Sequence, residues 1–429
     1  MARVRESVVM RPTEPRRRVV VTGMGLLTPC GIGAEASWAQ VRAGVSGIAP
    51  ITLFDASMLQ TRFAGEVKGF VAEDFMDRKQ ARRMYRYQQF ALAASEMAMK
   101  DAAFTIDPTA AERAAVIVGS CVGGLAAAEE ATLAARPRSP EVVSPFFILN
   151  VLINMAASHI SIRFGFKGPA LATNSACATS AHALGEAMRL IQRGEIDVAL
   201  AGGAEAPIGF MCIAGFNAIR ALSTRNDDPA AASRPFDADR DGFVLGEGAG
   251  IVLLEEFEHA RRRGARIYAE LAGYGASADA FHMTAPAPDH EGAQRCMRSA
   301  LADASLAPSD IGYINAHATA TPQGDVAEAT AIRAVFGGSA PTPPVSSTKS
   351  MTGHLTGAAG SAEAIFSMLA MRDQIVPPTS NLERLDPAID LDCVANVARP
   401  ASVNAVMSNS FGFGGTNAAL VFRRVEEQG

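Results

Sequence analysis

The sequence predicts an α/β protein built from two similar halves. Two observations carry this expectation. Short, apolar, β-branched runs alternate with Ala-rich helical stretches, and strands that are apolar throughout must be covered by helices on both faces. The alternation also runs twice, before and after about residue 265, with no low-complexity linker between the passes. Of 429 residues, 48% are hydrophobic, 19% are charged and 38 are glycine, which suits a large core with close helix–sheet packing.

Residues 1–16 read as a flexible N-terminal arm, Arg-rich and without the apolar stretch of a signal peptide. The first half, 17–265, opens with "RVVVTGMG" (18–25), a strand entering a turn, and "EASWAQVRAG", a helix. "AAVIVGS" (114–120) and "DVALAGGAE" (197–205) are buried strands, the second preceded by a helix that starts near Cys177. "GIVLLEEFEHARRRG" passes from strand into helix. The second half, 266–425, repeats the scheme: "RIYAELAGYGAS" (266–277) is a strand, "GAQRCMRSALADA" a helix and "IGYINAHAT" a strand ending at His317. "DVAEATAIRAVFG" and "SAEAIFSMLAMRD" are helices, and "ASVNAVMSNSFGFGG" and "AALVFRRV" are the last strands. "SAPTPPVSS" (339–347) is Pro-rich but short enough for a loop.

Composition closes off several function classes. A formal charge of −5 argues against bulk nucleic-acid binding, which needs a basic face. The cysteines at 30, 121, 177, 212, 296 and 393 form no C-x-x-C and no zinc-finger spacing, as in a reduced cytoplasmic protein without a metal site. The charge-free run from Val142 to Ile162 approaches membrane-spanning length, but its Ser, Asn, Pro and His residues would be costly in lipid. It reads as a buried segment of a soluble protein, without membrane insertion.

Gly23-Met24-Gly25 follows a strand, as in a dinucleotide fingerprint, but Thr28 replaces the third glycine and no ribose-binding acid follows about 20 residues on. Glycine at a tight strand exit accounts for it. Cys177 is different. It lies in "TNSACATSAHALG", after the apolar strand "PALAT" and before a helix. A thiol there has the positive end of a helix to lower its pKa and backbone N–H groups to bind an oxyanion. The residues alone leave an inert core cysteine and a nucleophile both open. His317, at a strand exit, and His354, in the Gly/Ser/Thr-rich "SSTKSMTGHLTGAAG", are placed to meet a ligand. Lys349 adds a cation nearby, and Glu363 on the following helix is a partner for it. His159, His182, His259, His282 and His290 lack such flanks and read as structural or surface residues. A cysteine with two imidazoles can hold an acyl group as a thioester while stabilising an enolate on a second substrate.

At these residues the sequence resembles the β-ketoacyl-acyl-carrier-protein synthases, the elongating condensing enzymes, over about Arg17 to Arg424. "SACATSAH", "AGGAEAP", "NAHATATPQGD", "VSSTKSMTGHLTGAAG" and "SNSFGFGGTN" carry the resemblance. It is similar most to the synthase II type, with synthase I features around the cysteine. The resemblance implies the thiolase fold, two halves stacked as five α-β-α-β-α layers, in a homodimer whose interface comes mostly from the first half. Cys177 matches the acyl-accepting nucleophile, His317 and His354 the paired histidines, Lys349 the supporting lysine, and Glu363 the acid that contacts it. Phe413 matches the gating phenylalanine whose N–H shares the oxyanion hole with that of Cys177, and Phe411 is its neighbour. Thr319 and Thr321 match the threonines that hold the pantetheine arm, and Val122 a residue setting the depth of the acyl pocket. Ala318 and Ala320 stand where the family motif has Gly and Ser.

The implied reaction is decarboxylative Claisen condensation of an acyl thioester with malonyl-acyl-carrier protein, lengthening a fatty acid by two carbons. The alternative is the same condensation in a secondary-metabolite (polyketide or polyene) pathway. No cofactor is implied, since phosphopantetheine arrives on the acyl carrier protein. That acidic carrier needs a local basic landing site, which by family position is Lys79, Arg82, Arg83 and Arg220. A thiolase would need a second cysteine in a C-terminal motif that Cys393 lacks. A priming synthase would have Asn where His354 stands.

Overall fold

The computed structural model describes residues 16–337 and 342–425, so the arm expected over 1–16 lies, apart from Arg16, outside the described residues. Ten strands carry the architecture. In the first half they are β1 (Val19–Thr28), β2 (Ala114–Gly119), β3 (Ala170–Leu171), β4 (Val198–Glu205) and β5 (Gly248–Glu256). In the second they are β6 (Ala269–Ala278), β7 (Tyr313–Asn315), β8 (Val345–Ser346), β9 (Ala405–Gly412) and β10 (Thr416–Arg423). The spatial order is β3-β2-β4-β5-β1 in one half and β8-β7-β9-β10-β6 in the other, the same permutation. The pairings repeat too: two parallel, then two antiparallel. β1 and β6 join the halves through the antiparallel pairs Val20–Glu270 and Val21–Ala269.

Six helices repeat in step: α1 (Arg86–Asp101), α2 (Met155–Phe164) and α3 (Thr179–Gln192), then α4 (Glu291–Ala304), α5 (Pro322–Phe336) and α6 (Ala359–Asp373). α1 and α2 cover the outer face of the first half's strands, and α4 covers that of the second with α5 against it. α3 and α6 touch each other and strands of both halves, giving the central layer of an α-β-α-β-α stack. A helix packed on both sides must be apolar or small all round. α6 meets that condition, with every residue from Ala359 to Met371 buried.

The glycines of "VTGMG" are not at a strand exit, because β1 continues to Thr28. A Cβ on Gly23 would lie 2.2 Å from Ala98 O, and one on Gly25 1.8 Å from Ala94 O, so α1 rests directly on the strand backbone. Gly273 and Gly275 of β6 repeat the device, with Ala300 O at 2.2 Å and Cys296 O at 2.1 Å on α4. The decoy motif is therefore a helix–strand packing motif used once in each half.

Two other expectations are corrected. "PALAT" gives only the two-residue β3, exposed at the end of the sheet path. The Val142–Ile162 run is buried only in part: Ala156, Ala157 and Ile160 are in the core, but Ile148 is 61% and Ile162 78% exposed, and Leu149 and Leu152 are exposed as well. No helix among the described residues is long and apolar enough to cross a membrane.

Candidate active site

Cys177 sits at the turn from β3 into α3, one residue before the helix N-cap Ala178. Ala176 takes a left-handed φ of 51°, which reverses the chain there at about 1 kcal/mol. Thr179 fixes the turn: its Oγ1 accepts from Ser175 N at 2.9 Å and donates to Ala176 O at 2.7 Å. His182 Nδ1 lies 2.6 Å from Ser175 Oγ on the next turn of α3. From the second half, the loop between β9 and β10 lies on this turn. Thr416 Oγ1 donates to Ser175 O at 2.9 Å, and the Phe413 N–H faces the Cys177 sulfur and favours its thiolate.

The histidines come from the other half. His317 lies two residues beyond β7, because the strand stops at Asn315 and not at the histidine as expected. Its N–H and that of Ala318 donate to the buried Glu328 carboxylate at 2.9 and 2.7 Å, fixing the chain as it leaves the sheet. His354 precedes α6 as Cys177 precedes α3, so Cys177 and His354 hold matching places in the two halves. His354 N donates to Val244 O at 2.7 Å, and its carbonyl accepts from Gly246 N at 2.9 Å. The two imidazole centroids are 5.4 Å apart with planes at 86°. Neither ring nitrogen of His354, nor Nδ1 of His317, has a hydrogen-bond partner among the described residues. Buried polar atoms are rarely left unpaired, and two rings facing one space mark a place for a ligand oxygen.

Lys349 and Glu363 form a buried ion pair behind these groups, Nζ to Oε1 2.5 Å. The ammonium favours the Cys177 thiolate and disfavours protonation of both histidines. Burial dominates each group nonetheless. It pushes the Cys177 thiol up to about 12, against the lowering by Lys349 and the Phe413 N–H, so the expected depressed thiol is not found in the resting site. Burial, with Lys349, holds His317 and His354 well below the usual imidazole range, so both rings are neutral. Burial raises Glu363 to about 7.

One cavity of about 130 Å³ is lined by Cys177, His317, His354, Thr319, Thr321, Phe411 and Phe413. Thr319 and Thr321 place their hydroxyl oxygens 3.3 Å apart. Ala320 between them has φ 69°, so the left-handed residue is position 320 and not 318, and Ala318 is buried without unusual backbone. Val122 does not line the cavity; its neighbour Cys121 does. Lys79, Arg82, Arg83 and Arg220 are exposed and away from the lining. Arg83 stacks its guanidinium 5.1 Å from the Phe146 ring centroid, and Arg220 follows the helix Phe210–Ala218, which sends Phe216 into the cavity.

Sequence reasoning missed His290. It lines the same cavity, 4.8 Å from the Phe411 ring at 72°, at a left-handed kink ahead of α4. The available signal was its place just before a helix start in "PDHEG". His182, structural by its sequence flanks, bonds Ser175, two residues before Cys177.

Residues 16–260 match the family described as "Beta-ketoacyl synthase, N-terminal domain" and 268–383 its "C-terminal domain". The chain is 49% identical over 412 residues, 96% of this chain and 100% of the relative, to a 3-oxoacyl-[acyl-carrier-protein] synthase 2 of Vibrio cholerae serotype O1. A beta-ketoacyl synthase crystal structure from Burkholderia phymatum superposes with a TM-score of 0.89 at 39% identity, covering 96% of this chain and all of that one. A type II PKS acyl-carrier protein in complex with its ketosynthase bound to the hexaketide gives 0.89 at 35% identity, with the same coverage.

Proposed function

The chain belongs to the beta-ketoacyl synthase family, and from that membership we propose its reaction and the part each residue plays in it. It condenses an acyl thioester with malonyl-acyl-carrier protein to give 3-oxoacyl-acyl-carrier protein, elongating a fatty acid by two carbons. The observation that carries this reading is the meeting of Cys177 from one half with two neutral imidazoles from the other in one cavity.

Cys177 sulfur attacks the acyl thioester carbonyl, and the carrier thiolate leaves. The N–H groups of Cys177 and Phe413 hold the intermediate oxyanion. Malonyl thioester then enters with its carbonyl oxygen between His317 and His354. Loss of carbon dioxide leaves an enolate whose oxygen both rings stabilise through the one N–H that each neutral imidazole carries. The enolate carbon attacks the acyl-cysteine carbonyl, and the C–S bond breaks to restore the thiolate. Thr319 and Thr321 hold the pantetheine arm. The reaction so written draws on no prosthetic group of the protein's own.

The carrier protein is the partner, and Lys79, Arg82, Arg83 and Arg220 form its landing site. The protein works in the cytoplasm as a homodimer. An exposed edge strand and adjacent exposed apolar side chains support the dimer: Leu171 of β3 with Ile148, Leu149, Leu152 and Ile162. The polyketide reading rests on structural neighbours of lower identity. Mass spectrometry tests the proposal. The wild type should carry an acyl group on Cys177 and release a single two-carbon extension, and Cys177→Ala should do neither. Full condensation by Cys177→Ala, or a poly-β-keto product, would overturn it.

A further inference from the structure

Glu205, at the end of β4, is fully buried and plays no part in the reaction above. Its carboxylate is surrounded by donors. Oε1 accepts from Ser120 Oγ at 2.6 Å and Val122 N at 3.1 Å. Oε2 accepts from Cys121 N at 2.6 Å and Gly357 N at 2.9 Å. Ser120 Oγ in turn accepts from Gly123 N at 3.0 Å. One carboxylate thus fixes all four residues of the turn that leaves β2, including the cavity-lining Cys121. No cation is paired with it among the described residues; the four donors are its compensation for burial.

The packing leaves this arrangement little slack. A Cβ on Gly357 would lie 2.4 Å from Glu205 Oε2 and 2.5 Å from Cys121 N, so the turn, the carboxylate and the start of α6 are in direct contact. His354, three residues earlier, does not depend on the carboxylate, because its own N–H and carbonyl are bonded to Val244 and Gly246.

We propose that Glu205 is a specificity-determining positioning residue: it holds the Ser120–Gly123 turn as a rigid wall and so fixes which acyl chains Cys177 accepts. This rests on the functional reading above and adds to it a residue that touches no substrate.

Glu205→Gln separates the two bonded groups. The amide oxygen can keep Cys121 N and Gly357 N, and the amide NH₂ can donate to Ser120 Oγ. Val122 N–H then faces a donor and loses its acceptor, and so does the Ser120 O–H that had donated to Oε1. Acylation of Cys177 by short and long acyl-carrier substrates is measured, with malonyl decarboxylation as the companion. The expected result is a change of about tenfold in the long-to-short ratio of kcat/KM, with decarboxylation held. An unchanged ratio overturns the proposal, whether or not the overall rate falls. If Glu205→Gln does not fold, Ser120→Ala, which removes the relay to Gly123, should shift the ratio in the same direction by less, and an unmoved ratio there is equally fatal. A wild type that takes no acyl group on Cys177 would instead sink the functional reading.

Discussion

Lys349 Nζ and Glu363 Oε1 lie 2.5 Å apart, with side chains 1% and 4% exposed. The pair gives the cavity a fixed cation that acts on Cys177 and both histidines from behind. Lys349→Met leaves a buried carboxylate without its partner and should cost about 3 kcal/mol of stability, read by denaturant unfolding. It should also slow iodoacetamide alkylation of Cys177, because the charge that favours the thiolate is gone. Lys349→Met/Glu363→Gln should regain part of the stability and none of the alkylation rate. Undiminished alkylation in the single variant would show that the ammonium does not act on the sulfur.

The histidines set the pH response. Both are held well below the ordinary 6.5, first by burial and then by Lys349. As pH falls through 6.5, the unfolded chain takes up protons on these imidazoles and the folded chain does not. Their contribution to stability is therefore intact above that value and declines below it. Malonyl decarboxylation, which uses the neutral rings, should run level through pH 6.5 and fail only at lower pH. An acid limb centred near 6.5 in the rate of a still-folded enzyme would contradict the burial of these rings.

Most elements were legible in the sequence because strand and helix periodicities are local. "AAVIVGS" and "DVALAGGAE" became β2 and β4 almost residue for residue. The site was legible through motifs around Cys177, His317 and His354, but their convergence was not. It depends on α3 and α6 lying against each other in the central layer, and no local pattern encodes which helices become neighbours. His290 and Glu205 were missed for the same reason: their partners, Phe411 and the Ser120–Gly123 turn, lie far away in the chain. The outward-facing run at 142–162 misled because a lack of charge reads as burial without saying against what.

Lys79, Arg82, Arg83 and Arg220 are exposed and pair with no acid among the described residues. Exposed charges add little to folding but much to the capture of an oppositely charged partner. Lys79→Glu/Arg82→Glu should raise KM for acyl-carrier substrates about tenfold while sparing small acyl thioesters. Rising salt should narrow the difference from wild type. Equal effects on both substrate types would move the landing site elsewhere.

Gly412 brings the second half directly against the Cys177 turn. A Cβ there would lie 2.5 Å from Thr416 Oγ1, 2.7 Å from Ser175 O and 3.1 Å from Cys177 N. Real Cβ contacts are not that short, so Gly412→Ala must push the loop carrying Phe413 away from the cysteine turn. The Phe413 N–H, which favours the Cys177 thiolate, would move with it. Losing one oxyanion donor typically costs a hundredfold or more in rate, so acylation of Cys177 should fall by about 10²-fold. Decarboxylation, which the proposed reaction assigns to His317 and His354, should fall far less, because their backbone anchors at Glu328, Val244 and Gly246 are untouched. Single-turnover acylation measured beside malonyl decarboxylation separates the two. Equal losses in both would mean that the glycine serves the fold of the whole cavity rather than the approach of one N–H to one sulfur.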